Sequence, residues 1–333
     1  MTSQALLPFA VCNKARWIAA ALALSGAGYA SAQAFPSRPV EFIVHTAAGG
    51  GSDLFARVVA EIINREKLLP QPVLVVNKGG GGGSVALSHI ASRHGDPYTV
   101  LTVAVGIVLT AHLRAGLDIG PDKIQPLALL GFDLSALAVR EDSPYKSVRQ
   151  FVDAAKANPK SIIIAVGSVG GTGHYFAYQL EKATGARFTI VSMKSGSDAA
   201  LAVLGGHVQA TTENLSEMMH QVEAKKMRIL AVPAETRVRG IPDVPTLREL
   251  GLEIRMGSGR GFAAPAGIPK EAAAALEATF ELVYKSAAWK EYSARNMFED
   301  VYMNGAEFSR YLAARQPERV QYMHEIGLVQ KKP

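Results

Sequence analysis

The sequence predicts an α/β protein built from two doubly wound domains, and three observations carry that prediction. The chain has 333 residues, 48% of them apolar and 19% charged, which is long for one core and comfortable for two. Apolar strand-like runs alternate with helical periodicities up to about residue 136, and then the alternation starts again. A Gly-rich segment in the first half, Gly49-Gly50-Gly51-Ser52-Asp53-Leu54-Phe55-Ala56, aligns without gaps to Gly170-Gly171-Thr172-Gly173-His174-Tyr175-Phe176-Ala177 in the second. Each copy follows an apolar run and opens a helix, so each half carries one strand–glycine loop–helix unit.

Val40-Glu41-Phe42-Ile43-Val44 reads as a strand buried in a parallel sheet. A helix follows from about Asp53 to Arg65, with Leu54, Val58 and Ile62 on one face. Val73 to Val76 is a second strand, Gly79 to Gly83 a loop, and a helix opens near Ser84. Thr99 to Val103 is the third strand. Strand–helix alternation of this kind specifies a parallel, doubly wound sheet. In the second half Ala136 to Val139 reads as a strand. Ser147 to Asn158 reads as a helix, with Ser147 as N-cap and Asn158-Pro159 as stop. Ile162 to Val166 and Phe188 to Ser192 are strands around a helix at Thr172 to Thr184. Helices are expected at Ser197 to Leu204 and Glu213 to Lys225, then a strand at Ile229 to Val232. Pro242, Pro245, Pro265 and Pro269 mark a loop-rich region. Two helices, Lys270 to about Ser286 and Ala306 to about Glu325, close the chain.

Residues 1–32 read as a secretory signal peptide. Lys14 and Arg16 precede a short apolar run from Trp17 to Leu24, and small residues end in Ala30-Ser31-Ala32, an A-x-A pattern that places the cut after Ala32. The run falls short of the ~20 residues that span a bilayer. The single cysteine, Cys12, leaves with this segment. The mature chain then has no disulfide, thiol nucleophile or thiolate metal site, which suits a periplasmic protein with a large core. Loss of Lys14 and Arg16 lowers the basic residues from 35 to 33 against 29 acids. The remaining basic residues are scattered, so nucleic acid is a poor partner.

A helix start exposes unpaired N–H groups and the positive end of the dipole, and glycines let a ligand approach the main chain. Such a loop binds an anion without a charged side chain. In doubly wound domains these loops lie at the carboxyl ends of strands, where ligands bind. Two of them facing across a cleft, with Ser52, Ser84 and Thr172 adding hydroxyls, suit a di- or tricarboxylate. A turn that only packs strand on helix explains Gly79 to Gly83 equally well; recurrence favours binding at Gly49 and Gly170. Nucleotide motifs fail on spacing. The sixth positions after Gly49 and Gly79 are Leu54 and Ser84, and no G-x-x-x-x-G-K-[ST] occurs. Val166 stands two residues before Ser168, so G-x-S-x-G is absent. The histidines show no metal spacing. Of the tempting residues His45, His174 and Asp53, His174 reads as packing or hydrogen-bonding locally and Asp53 as capping a helix or orienting a ligand-bound water, which leaves no catalytic residue, metal or cofactor to assign.

The chain resembles the substrate-binding proteins of tripartite tricarboxylate transporters, the Bug-type receptors, over essentially all of its mature length. The segments that carry this are Phe35-Pro36-Ser37-Arg38-Pro39-Val40, Ala48 to Asp53, Val75-Val76-Asn77-Lys78-Gly79, Gly95-Asp96-Pro97-Tyr98-Thr99 and Ala155-Lys156-Ala157-Asn158-Pro159. Gly167-Ser168-Val169-Gly170-Gly171 and Ile241-Pro242-Asp243-Val244-Pro245-Thr246 add to them. The resemblance implies a two-lobed periplasmic fold with a hinge and a cleft, holding carboxylates through main-chain N–H groups and water. It nominates Thr46, Ala47, Ala48, Gly49, Gly50, Gly51, Ser52 and Asp53 in the first lobe. In the second it nominates Ser168, Gly170, Gly171 and Thr172, the loop with Lys194 and Ser195, and Glu213 with Asn214.

Several pocket positions depart from the usual pattern. His45-Thr46-Ala47-Ala48 lacks a proline before the glycines, Lys78-Gly79 replaces Arg-Pro, and Met193-Lys194-Ser195 replaces Tyr-Lys-Gly. Thr211-Thr212-Glu213 stands where an aspartate or aromatic residue is common. Lys194, if it reaches the cleft, favours a further anionic group. The expected first domain is residues 33–136 plus 258–333 and the second 137–257. The expected role is a monomeric periplasmic receptor that closes on a small carboxylate and delivers it to membrane permease subunits. Its rivals are a ligand-sensing subunit for a membrane kinase and an enzyme on the same fold.

Overall fold

The structure, a computed structural model, describes Met1 and residues 35–111, 113 and 120–329. Apart from Met1, the expected signal peptide, with its Ala30-Ser31-Ala32 cut and Cys12, lies outside the described residues.

In chain order the elements are β1 (Val40–Val44), α1 (Gly51–Glu66), β2 (Val73–Asn77), α2 (Ser84–Ala91), β3 (Thr99–Ala104), α3 (Val105–Ala111), β4 (Ile124–Leu134) and β5 (Leu137–Arg140). Then come α4 (Val148–Ala157), β6 (Ile163–Val166), α5 (Thr172–Thr184), β7 (Thr189–Ser192), α6 (Gly196–Leu204), β8 (Ala210–Thr211), α7 (Leu215–Glu223) and β9 (Met227–Ala231). The chain ends through β10 (Gly257–Pro265), α8 (Lys270–Lys285), α9 (Ala287–Arg295), β11 (Phe298–Glu299), β12 (Met303–Asn304) and α10 (Gly305–Glu325). The strands form two sheets. One runs β11-β4-β10-β3-β1-β2, with β12 also on β4; the other runs β7-β6-β8-β5-β9. Each is covered by helices, giving two α/β lobes.

The expectation of wholly parallel sheets is corrected. β1 pairs in parallel with β2 and β3, and β6 with β7 and β8. However, β10 runs antiparallel between β3 and β4, and β5 runs antiparallel to β8 and β9. The cause is topological: the chain leaves the first sheet through β4, builds the second, and returns through β10 in the opposite sense. β10 falls inside the stretch expected to be loop. Its glycines alternate with Ser258, Arg260 and Phe262, so no apolar run marks it. β4, α3, α9, β11 and β12 were likewise not foreseen.

Local signals that were foreseen hold. The Ser147 hydroxyl accepts the Gln150 amide at 3.2 Å as N-cap of α4, and Asn158 is its C-cap. The first core stacks Phe262 on Phe280, ring centroids 4.3 Å apart, against Phe42, Phe55 and Trp289, all fully buried. Each such ring contributes roughly 1.5–3 kcal/mol by burial. The second core gathers Phe151, Phe176 and Leu180. α10 touches both lobes: Phe308 and Leu312 pack in a further cluster beside β3, whereas Tyr322 and Met323 pack into the second core. Pro317 stands between the two halves and removes one bond of the helical ladder. Among the described residues no helix is long and apolar enough to cross a membrane.

Candidate functional site

The first loop leaves β1 at His45, which is buried and held neutral: burial, then the nearby Arg260 charge, push its pKa down to about 3. Gly49 adopts a left-handed φ of 82°, and Gly50 caps α1. Asp53 folds this loop rather than facing a ligand. Its carboxylate accepts the Gly49 amide at 2.8 Å, Arg57 Nε at 2.9 Å and Asn77 Nδ2 at 2.9 Å. Burial pushes that carboxyl up, but these three donors hold it below the ordinary range. The second copy is built the same way. Gly170 has φ of 77°, and its amide donates to Nδ1 of His174 at 3.0 Å, the residue four positions on. Burial lowers the His174 pKa to about 4, so the imidazole is a neutral acceptor.

The loops of the two sheets meet. Ser197 Oγ donates to the Gly49 carbonyl at 2.8 Å, and the Ser195 side chain lies against Gly50. Thr172 faces Gly106, and Thr110 Oγ1 donates weakly to the Gly170 carbonyl at 3.4 Å. Ser195 caps α6, accepting the Asp198 amide at 3.1 Å. Ser52 is buried and accepts Arg260 Nη1 at 2.8 Å. Asn214 donates to the Asp133 carbonyl at 2.7 Å and accepts Arg260 Nη2 at 3.2 Å. Ser168 accepts the Gly171 amide through its carbonyl at 3.2 Å. Ala47 is half-buried, while Ala48 and Lys194 are exposed. Thr46 carries a buried Oγ1 without a hydrogen-bond partner, next to Gly50. The nominated residues of both lobes therefore converge, with Lys194 outward.

Sequence reasoning missed the centre of this arrangement. Arg260 on β10 pairs with Asp133 on β4 at 2.9 Å, both buried. Beside them, Glu217 on α7 reaches across the lobes and accepts the Gly51 amide at 2.7 Å. Its carboxylate lies so close to Gly196 that a side chain there would overlap it. One carboxylate thus sits between the N-termini of α1 and α6, where the dipoles favour negative charge. Glu213, 7% exposed, accepts the Gly167 amide at 2.6 Å and lies against Gly173 at the start of α5. Burial and the neighbouring Glu217 charge push its carboxyl up to about 8. Burial also raises that of Glu217, against the pull of Arg260. Glu213 was nominated by the resemblance; for Glu217 the sequence signal was only its place four residues on, in the first turn of a helix.

A separate groove of about 1340 Å³ is lined by Tyr175, Arg255, Lys290 and Arg319 among others, and by none of the nominated residues. Much of its charge is already paired, as in Arg255 with Glu235 and Lys290 with Asp300. None of the glycine-loop helix starts lines it, so the loop cleft is the better candidate. No group of three or more possible metal ligands occurs among the described residues.

Comparison with known proteins identifies the family. The model of the tripartite tricarboxylate transporter family receptor matches residues 55–328. A UPF0065 protein from the gbd 5' region of Cupriavidus necator is 32% identical over 318 residues, covering 93% of this chain and 95% of that protein. The periplasmic binding protein BugD superposes with a TM-score of 0.83 at 25% identity, covering 89% of this chain and 100% of that one. A TctC solute-binding protein from Polaromonas gives 0.65 at 30% identity, covering 87% and 99%. MatC from Rhodopseudomonas palustris, described with bound malate, shares the fold with a TM-score of 0.78 at 23% identity, covering 86% and 99%.

Proposed function

The chain belongs to the tripartite tricarboxylate transporter receptor family, and from that membership we propose that it captures a small carboxylate between its lobes in the periplasm and delivers it to the membrane permease subunits of such a transporter. The family is one of periplasmic binding proteins, and this role needs binding without turnover. One observation supports the ligand class above all: the Gly51 amide at the start of α1 already holds a carboxylate, that of Glu217, across the gap between lobes. An anion bridging two helix starts favours the closed arrangement, because only that arrangement satisfies donors from both lobes.

In this reading residues 33–136 plus 258–333 form one lobe and 137–257 the other, with crossings near Ser135 and Gly257. The nominated loops, Thr46 to Asp53, Ser168 to Thr172, Lys194-Ser195 and Glu213-Asn214, line the cleft. The protein acts as a monomer, exported by a signal peptide cut after Ala32. The test is a thermal-shift and calorimetric screen of the exported protein against mono-, di- and tricarboxylates, malate included because a protein of this fold carries it. A ligand at a hundred times its Kd stabilises the native state by about 2.7 kcal/mol, a clear rise in Tm. Saturable binding with the ligand recovered unchanged supports the proposal; a flat response across all carboxylates refutes it. The buried pair Glu213 and Glu217 is the one feature that favours an enzyme, since acid–base catalysts shift carboxyls upward by burial. Chemical change of a bound ligand in the same screen would establish that second reading.

A further inference from the structure

We propose that Glu213 and Glu217 make the cleft select a ligand that joins one carboxylate to an ammonium or amide N–H group, and reject the dicarboxylate of the same length. This rests on the solute-binding reading above and narrows its substrate class.

The argument is one of charge and place. The cation Arg260 and the acids Asp133, Glu213 and Glu217 converge where the lobes meet, with the neutral phenol of Tyr292 nearby. Arg260 spends its fork on Asp133, through Nε at 3.3 Å and Nη2 at 2.9 Å, and on Ser52 and Asn214. His45 beside it is neutral. Neither glutamate has an ion pair of its own among the described residues; each accepts a main-chain amide instead, Gly167 for Glu213 and Gly51 for Glu217. Lys194, the cation nearest in sequence to these loops, is exposed. The cleft thus holds two carboxyls without a cation of their own in a desolvated place, where keeping either one ionised is costly and a donor supplied by the ligand is favoured.

Glu217 also occupies the seat between Gly51 and Gly196 that a ligand carboxylate would take. Gly51 lies on the first lobe and Glu217 on the second, so parting the lobes breaks that contact and frees the Gly51 amide. An entering carboxylate that claims it, with the unpartnered Thr46 hydroxyl alongside, leaves Glu217 displaced but still adjacent. Two carboxylates then stand side by side, with Glu213 behind them. A second carboxylate on the ligand adds to the repulsion. An ammonium or amide N–H on the ligand answers it, by donating a hydrogen bond to the freed glutamate.

The experiment is calorimetric titration of the exported protein with chain-matched probes. Succinate, glutarate and adipate are set against γ-aminobutyrate, δ-aminovalerate and ε-aminocaproate, and against the three half-amides. The wild-type protein is expected to bind at least one amino acid or half-amide more tightly than its matched dicarboxylate, by at least about tenfold, the small end of what a like-charge contact costs. Glu217→Gln and Glu213→Gln, each shown by its melting curve to fold, should shrink or reverse that ratio. A dicarboxylate bound as tightly as both its matches overturns the inference and leaves the carboxylate receptor standing. So does an unchanged ratio in both folded variants. Should neither variant fold, the wild-type ratio alone decides. Binding of none of the probes overturns both this inference and the carboxylate reading; binding of dicarboxylates alone overturns only this one.

Discussion

Replacing Arg260 by methionine removes the cation that, among the described residues, is buried with the cleft acids, and keeps most of the side chain's volume. Arg260 and Asp133 have side-chain exposures of 4% and 0%, so bulk water cannot take over when one partner goes. After the change Asp133 keeps its hydrogen bond from Ser216 Oγ, at 2.6 Å, but loses both bonds from the guanidinium. Ser52 and Asn214 lose a donor as well. Breaking a buried pair by removing one partner costs about 3–5 kcal/mol, because the other charge is left uncompensated. Arg260 also draws the Glu217 and Glu213 carboxyls down, so its loss raises both further and places the cost at the upper end of that range. The assay is urea unfolding at neutral pH, comparing midpoints at constant slope. Arg260→Met with Asp133→Leu should recover most of the loss, since an apolar replacement of both partners is often neutral. A single-variant cost below about 1 kcal/mol, or a double variant as unstable as the single, would show that the pair is screened and the charge argument wrong.

Two further outcomes follow from the same geometry. The Glu213 carboxyl is raised from 4.5 to about 8 in the folded chain, so the native state holds a proton that the unfolded chain releases across that window. Its contribution to stability is therefore full below pH 4.5 and lost as pH rises towards 8; Glu213→Gln should flatten the decline in urea midpoint between pH 5 and 8, and an equally steep decline would show that other groups cause it. Ser197→Ala removes the hydroxyl that donates to the Gly49 carbonyl at 2.8 Å across the lobes. The lost bond is worth about 0.5–1.5 kcal/mol, which should weaken ligand affinity by up to about tenfold with little change in the melting of the free protein; unaltered affinity would mean that this contact does not help to hold the lobes together.

Local physics was legible in the sequence where it depended on neighbours along the chain. The 3.6-residue stripe of Leu54, Val58 and Ile62 fixed α1 in outline, though Gly51 starts it two residues before Asp53. Ser147 and Asn158 marked both ends of α4. The shared loop of Gly49 and Gly170 proved to be one device built twice, a positive-φ glycine whose amide is taken by the side chain four residues later. β10 was hidden because its glycines alternate with Ser258 and Arg260, and Arg260 is buried only where Asp133 of β4, Ser52 of α1 and Asn214 are brought up from elsewhere. β4 was hidden for a related reason: Pro126 and Asp133 break its pattern, and only pairing with β10, β11 and β12 makes it a strand. Ser52 shows the limit most clearly. Its hydroxyl looked available to a ligand, and the structure gives it to Arg260, 208 residues away.

The same limit explains the candidate site and gives the charge argument its weight. That two facing helix starts want an anion follows from backbone dipoles and could be read from glycine spacing alone. Which anion answers them cannot be read that way, because it depends on which side chain the second lobe carries to the first. Glu217 is 166 residues from Gly51 and appears in the sequence as an ordinary acid in the first turn of a helix. Placed between the starts of α1 and α6, it satisfies by itself the demand that the glycine loops create. A ligand must then do more than present a carboxylate: it must replace Glu217 and also supply what the displaced glutamate needs. On the proposed reading, affinity in this cleft is a difference between two carboxylates competing for one amide, and specificity comes from the group the ligand offers to the one that loses.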